Sequence, residues 1–93
     1  MEPVSLVELA NRLRNARKTA GLSQEEAATR TGIPQPSISA MESGKRNVDT
    51  LELVKFAELY RRPVDYFLNP DFKDESRSFA PILAAKEILE IHQ

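Results

Sequence analysis

The sequence predicts an all-α fold, and three observations carry that expectation. Helix-start signals recur: Ser5 with Glu8, Ser23 with Glu26 and Asp49 with Glu52 each place an N-cap residue three positions before a glutamate. At that spacing each side chain of the pair satisfies a backbone N–H that the first helical turn leaves unpaired. No run alternates apolar and polar residues as a half-buried strand would. The stretches between helical segments are also short, as in a compact bundle.

The first helix, about 5–19, presents Leu6, Leu9, Leu13 and Ala16 at helical spacing and ends at Gly21. The second, about 24–31, ends at Gly32, a residue suited to the left-handed cap position. The third, about 35–42, stops before Gly44, and the fourth, about 50–60, is expected to bury Leu51, Val54, Ala57 and Leu59 or Tyr60. Pro63 opens a fifth turn, "VDYFL", whose Phe67 folds back on the core. Residues 1–68 form this domain. Residues 69–79 read as a polar linker, and 80–93 carry a further helix, about 80–91, with Ile82, Leu83, Ala85, Ile88, Leu89 and Ile91. So apolar a helix is expected to be buried, on the domain itself, across a dimer axis or against a partner.

The 93 residues include no cysteine and one histidine, His92, next to the C-terminus. A disulfide framework, a zinc–cysteine site and a histidine metal site are thereby excluded, and nothing implies a cofactor. No stretch approaches the roughly 18 apolar residues that span a bilayer, and the signal-peptide order is missing, so a cytoplasmic protein without membrane association is expected. The net charge of −1 is unevenly spread: residues 1–47 carry seven Lys and Arg against five Asp and Glu, residues 48–93 six against nine.

The more basic half contains "GIPQPSISAMESGK", Gly32 to Lys45, which breaks a helical pattern and restarts it at once. A short helix, a glycine turn and a second short helix, braced by a longer first helix, form the helix-turn-helix pattern. Counted from Gln24, the small residue at position five is Ala28, the turn residue at position nine is Gly32, and the buried aliphatic positions fifteen and eighteen are Ile38 and Met41.

"GLSQEEAA", "TGIPQPSIS" and "MESGKR" resemble the signature of the lambdoid phage repressor and Cro family, the Xre-type helix-turn-helix regulators, over about residues 6–68. "LYRRPVDYFL" resembles the end of the domain in regulators linked to ImmA/IrrE-type metallopeptidases. The resemblance implies a five-helix lambda-repressor-like DNA-binding domain with an additional C-terminal helix. It implies a repressor that binds double-stranded DNA at a palindromic operator as a homodimer. Gln35, Pro36, Ser37 and Ala40 then occupy base-facing positions, where short side chains and amides can approach base edges. Gln35 alone has a bidentate amide, suited to adenine. Gln24, Ser43, Lys45 and Arg46 are implied as phosphate contacts, and Arg17 and Glu42 as an ion pair tying the first helix to the third. Two prolines depart from the family's usual residues: Pro36 replaces a commoner polar residue, and Pro34 stands where a Ser or Thr cap is usual.

The bland readings are that Gln35 and Ser37 lie on a solvated face and that Lys45 and Arg46 belong to an ordinary loop. Tyr60, Tyr66 and Phe67 read as core rather than as a base-stacking platform. An enzyme is disfavoured, since general acid–base chemistry needs a histidine or tuned carboxylates in a cleft. The alternative function is an antitoxin or protein-interaction module acting mainly through residues 80–91.

Overall fold

The computed structural model describes residues 4–72, and every regular element among them is a helix. These are α1 (Leu6–Thr19), α2 (Gln24–Thr31), α3 (Gln35–Glu42), α4 (Thr50–Tyr60) and α5 (Val64–Leu68). The helix expected over about 80–91 lies outside the described residues, as does the linker beyond Phe72.

The starts of α2 and α4 follow the sequence signal fully. In both, the N-cap side chain accepts the N3 backbone N–H while the N3 glutamate accepts the N-cap N–H. At α1 only half of the box forms. Ser5 Oγ accepts the Glu8 N–H, but the Glu8 carboxylate instead takes a hydrogen bond from Arg12 at 3.0 Å, one turn further on. α3 begins at Pro34 and has no side-chain cap, as its sequence requires.

α1 touches α3, α4 and α5, while α2 packs on α3 and α4. Leu13, Ala16, Ile38 and Met41 are each about 1% exposed and meet Phe56 and Phe67 in the centre. At the tight crossing of α2, Ala27 is fully buried, and Ala28 is half-buried against the same cluster. The expected face of α4 needs correction. Ala57 and Tyr60 are buried as expected, but Leu51 is 75% exposed and Val54 38%, and Leu53 and Phe56 are buried in their place. Both sets have helical spacing, so periodicity alone does not choose between them. The set with two aromatic rings removes more apolar surface from water and decides the rotation of the helix. Phe56 and Tyr60 stack with ring centroids 5.6 Å apart.

Past α5 the chain stays packed. Arg12, half-buried on α1, donates to the backbone carbonyls of Tyr66, Asn69 and Pro70, and Phe72 meets the Tyr66 ring edge-on at 5.6 Å. One side chain of the first helix thus fixes where the chain leaves the domain.

Gly32, between α2 and α3, has φ +78°, and a Cβ there would meet nothing within 4 Å. A Cβ at this site therefore costs backbone strain and not a clash. Gly32→Val should lower stability by about 1–2 kcal/mol, read from urea denaturation, and an unchanged midpoint would contradict this placement of the turn.

Candidate nucleic-acid interface

The turn at Gly32 and Ile33 sets α3 against α2 so that the first residues of both helices come together. Gln24 opens α2, Gln35 opens α3, and both are half-buried. Gln35 Nε2 donates to Gln24 Oε1 at 2.8 Å, and Gln24 Nε2 donates to Glu42 Oε1 at 3.2 Å. Glu42 ends α3 and is paired with Arg17 of α1: Nε donates to Oε2 at 2.8 Å and Nη2 to Oε1 at 2.9 Å. Arg17 Nη1 also donates to the Leu22 carbonyl at 2.8 Å, closing the turn before α2. A continuous run of hydrogen bonds therefore leads from the core, Arg17 to Glu42 to Gln24, out to Gln35.

Burial gives this run its stiffness. The side chains of Arg17 and Glu42 are 11% and 4% exposed, and each meets the other's full charge across two hydrogen bonds. The hydrogen bond to Glu42 raises the Arg17 pKa, against the opposing effect of burial, so the guanidinium stays charged. The Tyr60 hydroxyl lies buried in the same region and has no hydrogen-bond partner among the described residues. Burial first, and the Glu42 charge second, raise its pKa and keep it neutral.

The structure brings together most of the residues singled out from sequence. Around Gln35, Pro36 is exposed while Ser37 and Ala40 are half-buried along the outer side of α3. Ser43 is exposed, and its hydroxyl donates back to the Ala40 carbonyl at 3.2 Å. Lys45 is exposed, with no side-chain partner among the described residues. Arg46 is more engaged than the sequence suggested. Its guanidinium donates to both oxygens of Glu52, at 2.9 and 3.0 Å, and to the Asn47 carbonyl. The hydrogen bonds from Arg46 first, opposed by burial and aided by the backbone N–H of Asp49, hold the Glu52 carboxyl below the usual carboxylate range. Two links escaped the sequence reading, Gln24 to Gln35 and Gln24 to Glu42. The available signal was that glutamine opens both helices flanking the turn.

Comparison with known proteins identifies the family to which this fold belongs. Residues 13–67 match the helix-turn-helix family HTH_3. The chain belongs to the Xre-type helix-turn-helix family of transcriptional regulators. Among its Xre-type relatives is the HTH-type transcriptional regulator ImmR of Bacillus subtilis (strain 168), 40% identical over 63 residues. That match covers 68% of this chain, and the chain spans about half the length of ImmR, 50%. The crystal structure of the restriction-modification controller protein C.AhdI from Aeromonas hydrophila aligns with a TM-score of 0.64 at 32% identity, covering 67% of this chain and 94% of that one. An HTH_3 family transcriptional regulator from Vibrio cholerae aligns with a TM-score of 0.62 at 29% identity, covering 67% of this chain and 35% of its own. These relatives are regulators by name and not enzymes. No described helix is long and apolar enough to cross a membrane.

The buried pair makes an asymmetric prediction. Glu42→Ala strands the Arg17 charge and should cost about 3–5 kcal/mol, whereas the double variant Arg17→Met with Glu42→Leu should be near neutral in stability. The double variant should nevertheless bind DNA more weakly, because Gln24 loses its anchor. Chemical denaturation and a DNA titration on the same samples check both halves.

Glu52 gives a pH dependence. Its folded pKa is lowered from the ordinary value of 4.5, so the stability it contributes is complete above that value and is lost as pH falls through the lowered one. Glu52→Gln should therefore be less stable than the native protein at neutral pH, with the gap closing in urea melts as pH falls below the ordinary carboxylate range.

Proposed function

We propose that the protein binds a specific duplex sequence as a homodimer on a palindromic operator and represses transcription from it. The observation that carries this reading is the hydrogen-bonded run from Arg17 to Gln35. It leaves a polar amide anchored at one end by a buried ion pair and open to solvent at the other. Gln35 Oε1 and its second N–H have no partner among the described residues, which suits a bidentate contact with adenine N6 and N7 in the major groove. Pro36 and Ala40 offer apolar contact only, for instance with a thymine methyl, and Ser37 a short hydroxyl.

Gln24 holds Gln35 in place and has one amide N–H left over. With the unpaired backbone N–H groups of the first turn of α2, that donor suits a phosphate. Ser43, Lys45 and Arg46 lie on the chain leaving α3, where they would meet the sugar–phosphate backbone and set the register without reading bases. One such domain covers only a half-site of a few base pairs, so two copies related by a twofold axis are needed for useful specificity. Residues 80–91 supply the apolar surface that would join them. The name of ImmR, a transcriptional regulator, and that of C.AhdI, a controller protein, support the regulatory role.

Reading and positioning are separable by mutation. On an operator selected from random DNA, Gln35→Ala should cost about 1–3 kcal/mol and relax the preference at one base pair. Lys45→Ala should weaken all sequences alike and lower the slope of log affinity against log salt by about one per domain. Arg46→Ala should lower that slope by less, since its charge already faces Glu52. If Gln35→Ala weakens operator and random duplex equally across the salt series, Gln35 does not read sequence.

A further inference from the structure

The outward face of α4 continues onto α5. Leu51 and Val54 are exposed on α4, Val64 and Leu68 on α5, at 75%, 38%, 36% and 38%. Val54 and Val64, with Ala57 and Pro63, line one open groove of about 450 Å³, with Glu58 and Arg61 also on its walls. Leu51 lies one turn before Val54 and Leu68 one turn beyond Val64, so the apolar strip extends from the groove along both helices. Single exposed aliphatic residues are ordinary on a protein surface, whereas two lining one groove, with two more a turn away on the same helices, fit a contact site.

We propose that this groove receives residues 80–91 of a second copy of the chain, so that two copies exchange their C-terminal segments across a twofold axis. The proposal rests on the homodimer reading above and names the surface that reading left unassigned. Three observations carry it. The first is where the chain leaves the domain. Arg12 holds the carbonyls of Asn69 and Pro70, and Phe72 contacts Tyr66 at 5.6 Å. Arg62, which also lines the groove, lies 5.4 Å from the centroid of the same Tyr66 ring. The chain thus departs beside the groove, and residues 73–79 can span up to roughly 23 Å, enough to reach a facing copy.

The second is the width of the apolar surface. At helical spacing Ile82, Ala85, Ile88, Leu89 and Ile91 spread over roughly half the circumference, more than the stripe of about 100° that one contact surface covers. A single shallow groove leaves part of that surface wet, and a second copy supplies the other side. The third is charge. At the same spacing Glu87 and Lys86 border opposite edges of that apolar arc, and Arg61 and Glu58 line the groove as their counterparts.

The test uses full-length chains and sedimentation equilibrium at low micromolar concentration, with circular dichroism to confirm folding. Val54→Asp disables the groove and Leu89→Asp the segment; Leu51→Asp, at a more exposed position, replaces Val54→Asp if the latter melts early. The native chain should be a dimer, and each variant should raise its dissociation constant by roughly a hundredfold, as burial of an unpaired carboxylate does. An equimolar mixture of Val54→Asp and Leu89→Asp should recover part of the dimer that either variant alone loses, because one of the two segment–groove contacts of the mixed dimer is intact. A monomeric native chain, or a dimer unaffected by Leu89→Asp, overturns the homodimer reading through the C-terminal segment and this inference with it. A dimer broken by Leu89→Asp but untouched by the groove variants leaves that reading standing and overturns the inference alone. Failure of the mixture to recover dimer overturns the exchange.

Discussion

The rest of the structure depends on the buried pair between Arg17 and Glu42. It joins the middle of the domain to both helices of the helix-turn-helix unit: Arg17 closes the turn into α2 through the Leu22 carbonyl, and Glu42 ends α3. An ion pair so deeply placed gains little net stability, because desolvation offsets most of its Coulomb attraction. Its directional hydrogen bonds supply orientation instead. Apolar packing alone allows α2 and α3 to slide or rotate slightly against α1. A bidentate guanidinium–carboxylate contact does not, and Gln24 and Gln35 carry that fixed geometry to the surface.

A second polar device fixes the far side of the same unit. Glu52 accepts the Asp49 N–H in the capping box of α4 and also takes two hydrogen bonds from Arg46. The chain leaving α3 is thereby tied to the start of α4, so that residues 43–49 do not hang as a free loop. Helix capping and the placing of a basic side chain are done by one carboxylate. A surface ion pair of this kind contributes little energy by itself, but here it shares its acceptor with a backbone group that must be satisfied in any case.

The order of helices was legible in the sequence because three capping signals and the glycine at 32 are local. So was the identity of Arg17 and Glu42 as partners, through the family resemblance. The face of α4 was not. Leu51, Val54 and Ala57 make as regular a stripe as Leu53, Phe56 and Tyr60, and only the shape of the space left by α1, α2 and α5 selects between them. The involvement of Gln24 with Glu42 was hidden for a similar reason, since it joins residues 18 apart through the geometry of the turn. The clamp made by Arg12 was hidden more thoroughly. Arginine on an otherwise amphipathic helix reads as solvated, and nothing local shows that three carbonyls from the end of the domain converge on it.

The two prolines around Gln35 acquire a different meaning once the backbone is seen. Without a side-chain cap, the first turn of α3 should hold several amide protons that only solvent can satisfy. Pro34 and Pro36 have none to satisfy, and the N–H groups of Ser37 and Ile38 both donate to the Pro34 carbonyl. Each ring also fixes one backbone torsion, so the unfolded chain has fewer conformations to lose when this helix forms. The helix start is therefore organised before any encounter. Rigidity at this turn leaves less ordering to be done by any contact made there.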